Sequence, residues 1–592
     1  MLRFSLAALV ALVASALLAC SPSSAPAPVA RPSAVPPVAQ LTRLVDEYWD
    51  ESQRLNPHSR SAVVRFEAAA GYDISAQSLA DSLDLERRYR EALLAVPRDA
   101  LDAESQLSYD IFKRERDVAI EGYTYPSELM PVNPFRSIPL EFARAGAGVG
   151  SYAILSGKDY DSWRARAAEY VRWTGQAIAN MRAGQRRGYV LPRVLVVRLL
   201  PMLAALGVDT PANVFYRPLA AIPSTLRTEE RQRISEGINA TVREEILPAY
   251  RRLHDFMRDE YLPRARPSVA LSALPLGPAW YAHLVRRETS SRLTPADIHA
   301  IGAAETEKLR ARLQSLLAEA GFAGNAQAYF AAAQSEPRVA YKTPEELLDF
   351  YAQLKVSAAA ALAAEFAESP QGDFLIRPVE AFHAGGTPAV FYERGANRGA
   401  APVLYVDTRQ PLIPRTADFL REALPGLHLQ LTIQQERSGL PKFRRFGGDP
   451  GFVEGWGLYA ELLGDELGLY GDTEAKFASL TDELACAAGL VVDTGVHGLG
   501  WSRDQALDYL RAQLPMSEEA ANETIDRVIA LPAEALDCGM GLRVFRSLRA
   551  HAQQVLGARF DLRDFHAELI DDGAMPLDIL ESAANLWLNA RH

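Results

Sequence analysis

The chain has 592 residues, and 63 Lys and Arg stand against 74 Asp and Glu, giving a formal charge of −11 and an isoelectric point near 5.6. That balance excludes a nucleic-acid binder, whose docking face carries a basic excess; 56 of the basic residues are Arg and 7 are Lys, which reads as a general compositional bias. A hydrophobic content of 48% with 23% charged residues excludes disorder for the bulk of the chain, and 3 Cys are too few for a disulfide scaffold of this size. Length alone allows about four domains or one large helical unit.

In chain order, the first element is an address. Met1-Leu2-Arg3 is a basic start, Phe4 to Ala19 is almost wholly apolar, and the run closes on Leu17-Leu18-Ala19-Cys20. It is shorter than the roughly 20 residues of a membrane-spanning helix and has the layout of a secretory signal, residues 1–19. The small residue before Cys20 resembles a bacterial lipobox, which implies cleavage there and lipidation of Cys20; an ordinary signal with a chance Cys is the alternative. Ser21 in place of Asp points to the outer membrane, facing the periplasm. Residues 20–40 then form a Pro/Ser/Ala-rich tether. No other stretch reads as long and apolar enough to span.

From residue 41 to 592 the pattern is mostly α. Leu41, Leu44, Val45 and Tyr48 recur at helical spacing, and further helices are predicted over 160–185, 227–262, 294–320, 344–368, 474–490, 503–513 and 540–557. Pro-rich breaks near 210–225 and 263–278 leave room for N- and C-terminal subdomains parting near 265–290. Residues 385–407 are the best candidate for a hairpin or small sheet, placed just before segment 415–461, the most informative of the chain. No nucleophile elbow, P-loop or dinucleotide fingerprint is present.

The segments PAYRRLHDFMRDEYLPRAR (248–266), LPLGPAWYAHLVRRETSSRLTPADIHAIGAAE (274–305), FVEGWGLYAE (452–461), LVVDTGVHGLGWSRDQAL (490–507) and FDLRDFHAELIDDGAMPLDIL (560–580) resemble, in the same order, the bacterial family known as domain of unknown function 885. The resemblance runs from about residue 42 to the C-terminus. It implies a large multi-helix, metallopeptidase-like fold with a small β-sheet near the active site, often on a lipoprotein. Family members carry a His-Glu pair, a Pro-Gly turn, two His with Leu-Gln, and a later Glu-Gly-Trp. Such a set is chemically intelligible: a hydrolytic zinc takes about three His or carboxylate ligands, and a further carboxylate receives a proton from the bound water. On a regular helix the two His would lie about 240° apart, so the Pro-Gly irregularity is needed to bring them together.

This sequence departs from that pattern at the ligands. Arg421 stands at the first His position and Leu427 at the one after Pro425-Gly426; Arg repels a dication and Leu has no lone pair. By resemblance Glu422 survives as a vestigial base, Glu454 as a vestigial third ligand, and His428 and Gln430 as polar neighbours. Cys486 and Gly489 replace two Arg of the family, and Glu534 and Cys538 replace a Gln and a Tyr. Zinc binding, and any other cofactor, is therefore not expected. The expected function is a pseudo-peptidase lipoprotein of the cell envelope, anchored to the membrane through Cys20, that binds a peptide or an envelope protein in the inherited cleft. The alternative is an active periplasmic hydrolase with an atypical site, or one using a displaced zinc held by Glu454 and His428 with Asp493 or His497. Arg421 is expected to pair with Glu454 in the space of the metal. Asp493 and His497, at i, i+4, are either hydrogen-bonded structural residues or substrate contacts; Trp456 and Tyr459 read as packing aromatics. Cys486 and Cys538, near the former site by resemblance, are expected to pair in an oxidising compartment.

Overall fold

The computed structural model describes residues 35–55, 72–148, 154–335, 340–379, 388–394, 401–409 and 411–591. The signal, Cys20 and most of the tether lie outside them. The described residues are mostly α-helical, with one small sheet among them.

Periodicity explains most of the helices. The first, Pro37–Leu55, buries Leu41, Val45, Tyr48, Trp49 and Ser52 along one stripe. Reciprocal side-chain caps fix the starts of Pro295–Glu319 (Thr294 with Asp297), Pro344–Glu365 (Thr343 with Glu346) and Arg503–Gln513 (Ser502 with Gln505), satisfying amides that have no intrahelical partner. The run expected at 227–262 is interrupted twice. Helices Thr228–Thr241 and Leu247–Phe256 are joined by the π-turn Val242–Ile246, and a second π-turn covers Met257–Tyr261. Each π-turn lies just before a proline, Pro248 or Pro263, which has no N–H to bond the carbonyl four residues back.

Two expectations need correction. The helix expected at 474–490 runs from Thr473 to His497. Its last turns, rich in Val, Thr and Gly, are poor helix formers, but Leu490 to His497 are all buried, and Gly302 of the Pro295–Glu319 helix sits against Leu490 and Val491. Packing overrides propensity there. The second correction concerns Pro344–Glu365, which has the length and mean hydropathy of a membrane span. It buries Leu347, Tyr351, Leu354, Ala358 and Leu362 on one stripe only, the pattern of a helix lying on a protein core.

The sheet has three short strands, β1 (Leu375–Pro378), β2 (Val390–Glu393) and β3 (Val403–Val406), in the order β1-β3-β2. β2 and β3 pair antiparallel with Val390 opposite Val406, within the segment expected to form a hairpin. β1 joins on the other side, parallel, with Leu375 opposite Val403. Its four residues are mostly exposed and show no alternation, so nothing in them signalled a strand.

The largest core mixes the N-terminal helices, Leu41 through Phe112, with residues Leu347 through Leu588. A second core runs from Tyr72 to Tyr261, and a third joins Leu195 and Val269 to residues between Leu309 and Ile529.

Candidate functional site

The site begins at a break between two helices. Thr416–Glu422 ends at Ala423, a cis Leu424–Pro425 bond follows, and Leu427–Glu436 starts at once. A Cβ on Gly426 would lie 1.8 Å from the Arg421 carbonyl oxygen, so only glycine fits this turn. Six residues apart in sequence, Arg421 and Leu427 are thereby brought to one place. A Cβ on Gly457 would lie 3.3 Å from Arg421 Cγ and 3.4 Å from Leu427 Cδ2, so both side chains rest on the Pro450–Leu462 helix one turn beyond Glu454.

Arg421 Nη2 donates to Glu454 Oε2 at 3.2 Å; the side chains are 22% and 44% exposed. Burial disfavours the Arg421 charge, but the fields of Glu454, Glu461, Glu422 and Asp482 outweigh it and hold the guanidinium protonated. Glu422 accepts the Tyr392 amide of β2 at 3.0 Å. Burial first, then the charge of Glu454, pushes Glu422 up to about 7, against the pull of Arg421. Behind this pair lie two carboxylates that sequence reading missed. Glu461 is fully buried and pushed well up, by burial and then by Asp482; Asp482 is pushed up to about 6 by burial and by Asp418, which pairs with Arg415 at 2.6 Å. Glu461 follows Glu454 by seven positions, two helical turns, so its shared face was the signal available.

The remaining candidates are engaged elsewhere. His428 is 1% exposed; its Nε2 reaches the Gly372 carbonyl at 3.1 Å and its Nδ1 the Tyr392 hydroxyl at 3.2 Å. The carbonyl fixes the proton on Nε2, and burial lowers the pKa to about 4, so the ring is neutral. Gln430 donates to Gln434 at 2.7 Å, and Gln434 in turn donates to the carbonyls of Arg444 and Gly447 and accepts the Ala574 amide. Asp493 accepts the Tyr281 hydroxyl at 2.6 Å and the Ala533 amide at 3.0 Å, holding Ala533 at a φ of 74°. Burial pushes Asp493 up to about 7. His497 accepts the Leu271 amide on Nδ1 at 3.0 Å and donates from Nε2 to the Val528 carbonyl at 2.9 Å, again neutral with a pKa pushed down to about 4 by burial. Trp456 donates to the Pro425 carbonyl at 3.2 Å, bracing the break, and Tyr459 bonds His566 at 2.9 Å.

The two cysteines are joined, with Cα atoms 5.9 Å apart, and tie the Thr473–His497 helix to Asp537–Leu556. At Gly489 a Cβ would lie 2.8 Å from the Ala535 carbonyl oxygen. Two positions where the resemblance implied arginines thus serve close approach between elements.

The donors do not fit zinc. Arg421 and Leu427, at the two positions where the resemblance implies imidazoles, offer no lone pair beside Glu454, and both ring nitrogens of His428 and of His497 already have partners. Among the described residues no group of three or more His, Cys, Asp or Glu is arranged to hold a metal ion.

Residues 66–583 match the family described as bacterial protein of unknown function (DUF885), and the chain belongs to that family. In fold it is similar to the crystal structure of a candidate lipoprotein from Colwellia psychrerythraea, with a TM-score of 0.84 at 22% identity over 94% of this chain and 100% of the other. It is also similar to a candidate lipoprotein of unknown function from Shewanella oneidensis, with a TM-score of 0.66 at 14% identity over 92% and 99% of the two chains. No curated protein matches it.

Proposed function

We propose that the protein is a lipid-anchored envelope protein with a metallopeptidase-like architecture and a degenerate zinc site, and that it binds peptides or an envelope partner in the cleft beside that site. One observation carries the reading: the Arg421 guanidinium sits against Glu454, so a fixed cation stands where the resemblance implies a metal, among carboxylates that would otherwise repel one another. The anchor at Cys20 is supported by the lipobox-like Leu17-Leu18-Ala19-Cys20 and by the likeness in fold to two candidate lipoproteins.

Metal analysis of the purified chain, with a peptidase screen run with and without chelator, tests this. No stoichiometric zinc and no chelator-sensitive cleavage are expected. The double variant Arg421→His with Leu427→His is expected to gain zinc, because both side chains converge on Gly457 beside Glu454. Stoichiometric zinc with chelator-sensitive cleavage in the unaltered chain would overturn the proposal in favour of an active hydrolase.

A further inference from the structure

A cavity of about 1000 Å³ opens between the helices Ala76–Leu94, Ala103–Gly122 and Gly277–Thr289 and the turn at 446–450, which leads into the Pro450–Leu462 helix. Its size is at the upper end for a small-molecule or short-peptide site. Pro450 in its lining and Glu454 are four residues apart, one turn from each other on the same helix.

The arginines that line this cavity differ in one respect. Arg114 has Asp578 at 3.6 Å and Asp449 at 4.0 Å, Arg116 pairs with Glu86 and Glu115, and Arg287 pairs with Glu288. Arg187 is exposed at the rim, where its charge faces Glu128. Arg394, just beyond β2, has no carboxylate and no hydrogen-bond partner among the described residues. Its Nη2 would lie 3.8 Å from a Cβ on Gly448, so the guanidinium stands against the Gly447-Gly448 turn. Burial pulls its pKa down, and the Tyr392 phenol is the one group opposing that shift. Asp449, next in the chain after that turn, faces Arg114, Glu288 and Asp578, and Arg394 is not among its charge neighbours. A desolvated guanidinium without a counter-ion is costly, and a protein keeps one where a ligand supplies the anion.

We infer that this cavity binds its ligand through a single carboxylate, received by the Arg394 guanidinium at the Gly447-Gly448 turn. One uncompensated positive charge matches a monoanion, and the planar fork of Arg fits both oxygens of a carboxylate. A phosphate dianion would bring surplus negative charge toward Asp578 and Glu115. If the ligand is a peptide, which rests on the proposed function, the carboxylate is its C-terminus.

Calorimetric titration of the full chain in detergent, with 3-phenylpropionate, N-acetyl-Ala-Phe, its C-terminal amide and inorganic phosphate, tests the inference. The two acids are expected to bind, with the amide and phosphate weaker by about tenfold or more. Arg394→Gln is expected to weaken the acids by a similar factor, and Arg394→Lys by less. Without ligand, Arg394→Gln is expected to melt no lower than the unaltered chain, because it removes an unpaired charge. An amide that binds as tightly as the acid, unaffected by Arg394→Gln, would overturn the carboxylate site while leaving peptide binding intact. Arg394-dependent binding of phenylpropionate with no binding of either peptide would support the site and sink the peptide reading. Binding of phosphate as tightly as the acids, or of no probe at all, would overturn the inference.

Discussion

Arg421 is the cation on which a group of buried and half-buried carboxylates acts. Glu422, Glu454, Glu461 and Asp482 all act on it, and among the described residues Arg415, already paired with Asp418, is the second cation acting on Asp482. Arg421→Gln therefore leaves like charges facing one another, with an expected loss of about 2 kcal/mol. Because Glu454 is 44% exposed, the pairwise coupling in a cycle with Glu454→Gln should be smaller, about 1 kcal/mol. Equilibrium urea unfolding of the four proteins measures both quantities, and a neutral Arg421→Gln would show that the charges relax by protonation instead. At this scale the sequence was partly informative. An Arg and a Glu at two positions where the resemblance implies ligands are complementary as residue types, and that much is readable without coordinates. Arg394 was not: whether a guanidinium lacks a partner depends on what the fold places around it.

Helices meet in this region through missing side chains. A Cβ on Gly455 would lie 2.4 Å from the Gly541 Cα, so the Pro450–Leu462 and Asp537–Leu556 helices touch backbone to backbone at that crossing. Gly455→Ala would force the helices apart, at an expected cost of about 1–3 kcal/mol, and would shift Glu454 with them. The disulfide acts on the same assembly, since it joins Asp537–Leu556 to Thr473–His497 across 52 residues. Closing a loop of that length removes enough chain entropy from the unfolded state to stabilise by about 4 kcal/mol. A reductant, or Cys486→Ser with Cys538→Ser, should thus lower the melting midpoint, and an unchanged midpoint would exclude a stabilising cross-link. Most helices could be read from apolar spacing and capping residues, as at Thr294 and Thr343. β1 and the last turns of Thr473–His497 could not, because their conformation is set by a neighbouring strand and by helix burial, not by local preference.

Across the whole molecule, buried titratable groups set how stability responds to pH. Asp449 is pushed up to about 8, Asp493, Glu422 and Glu568 to about 7, and Asp482 to about 6, each chiefly by burial. Unfolded carboxyls release their protons near pH 4, so between about pH 5 and 8 the folded chain holds protons the unfolded chain has lost. The stability linked to these groups falls as pH rises through their folded values. His428, His497 and His566 work the other way: each is pushed down to about 4 by burial, while the unfolded imidazole takes up its proton near 6.5. Their contribution is complete above about pH 6.5 and is lost as pH falls toward 4. Glu128, Glu393, Glu461, Asp537, Asp571 and Glu581 are raised as well, and His283 and His299 lowered, so among the described residues the raised carboxyls outnumber the lowered imidazoles and decide the sign above about pH 5. The melting midpoint should therefore fall from about pH 6 to about pH 8.5, and fall again below about pH 4.5 as the histidines are forced to charge. Asp493→Asn, which keeps an acceptor for Tyr281 and the Ala533 amide but cannot ionise, should flatten the alkaline limb. A midpoint that rises steadily from pH 6 to 8.5 would mean that these carboxyls are solvated in the folded chain.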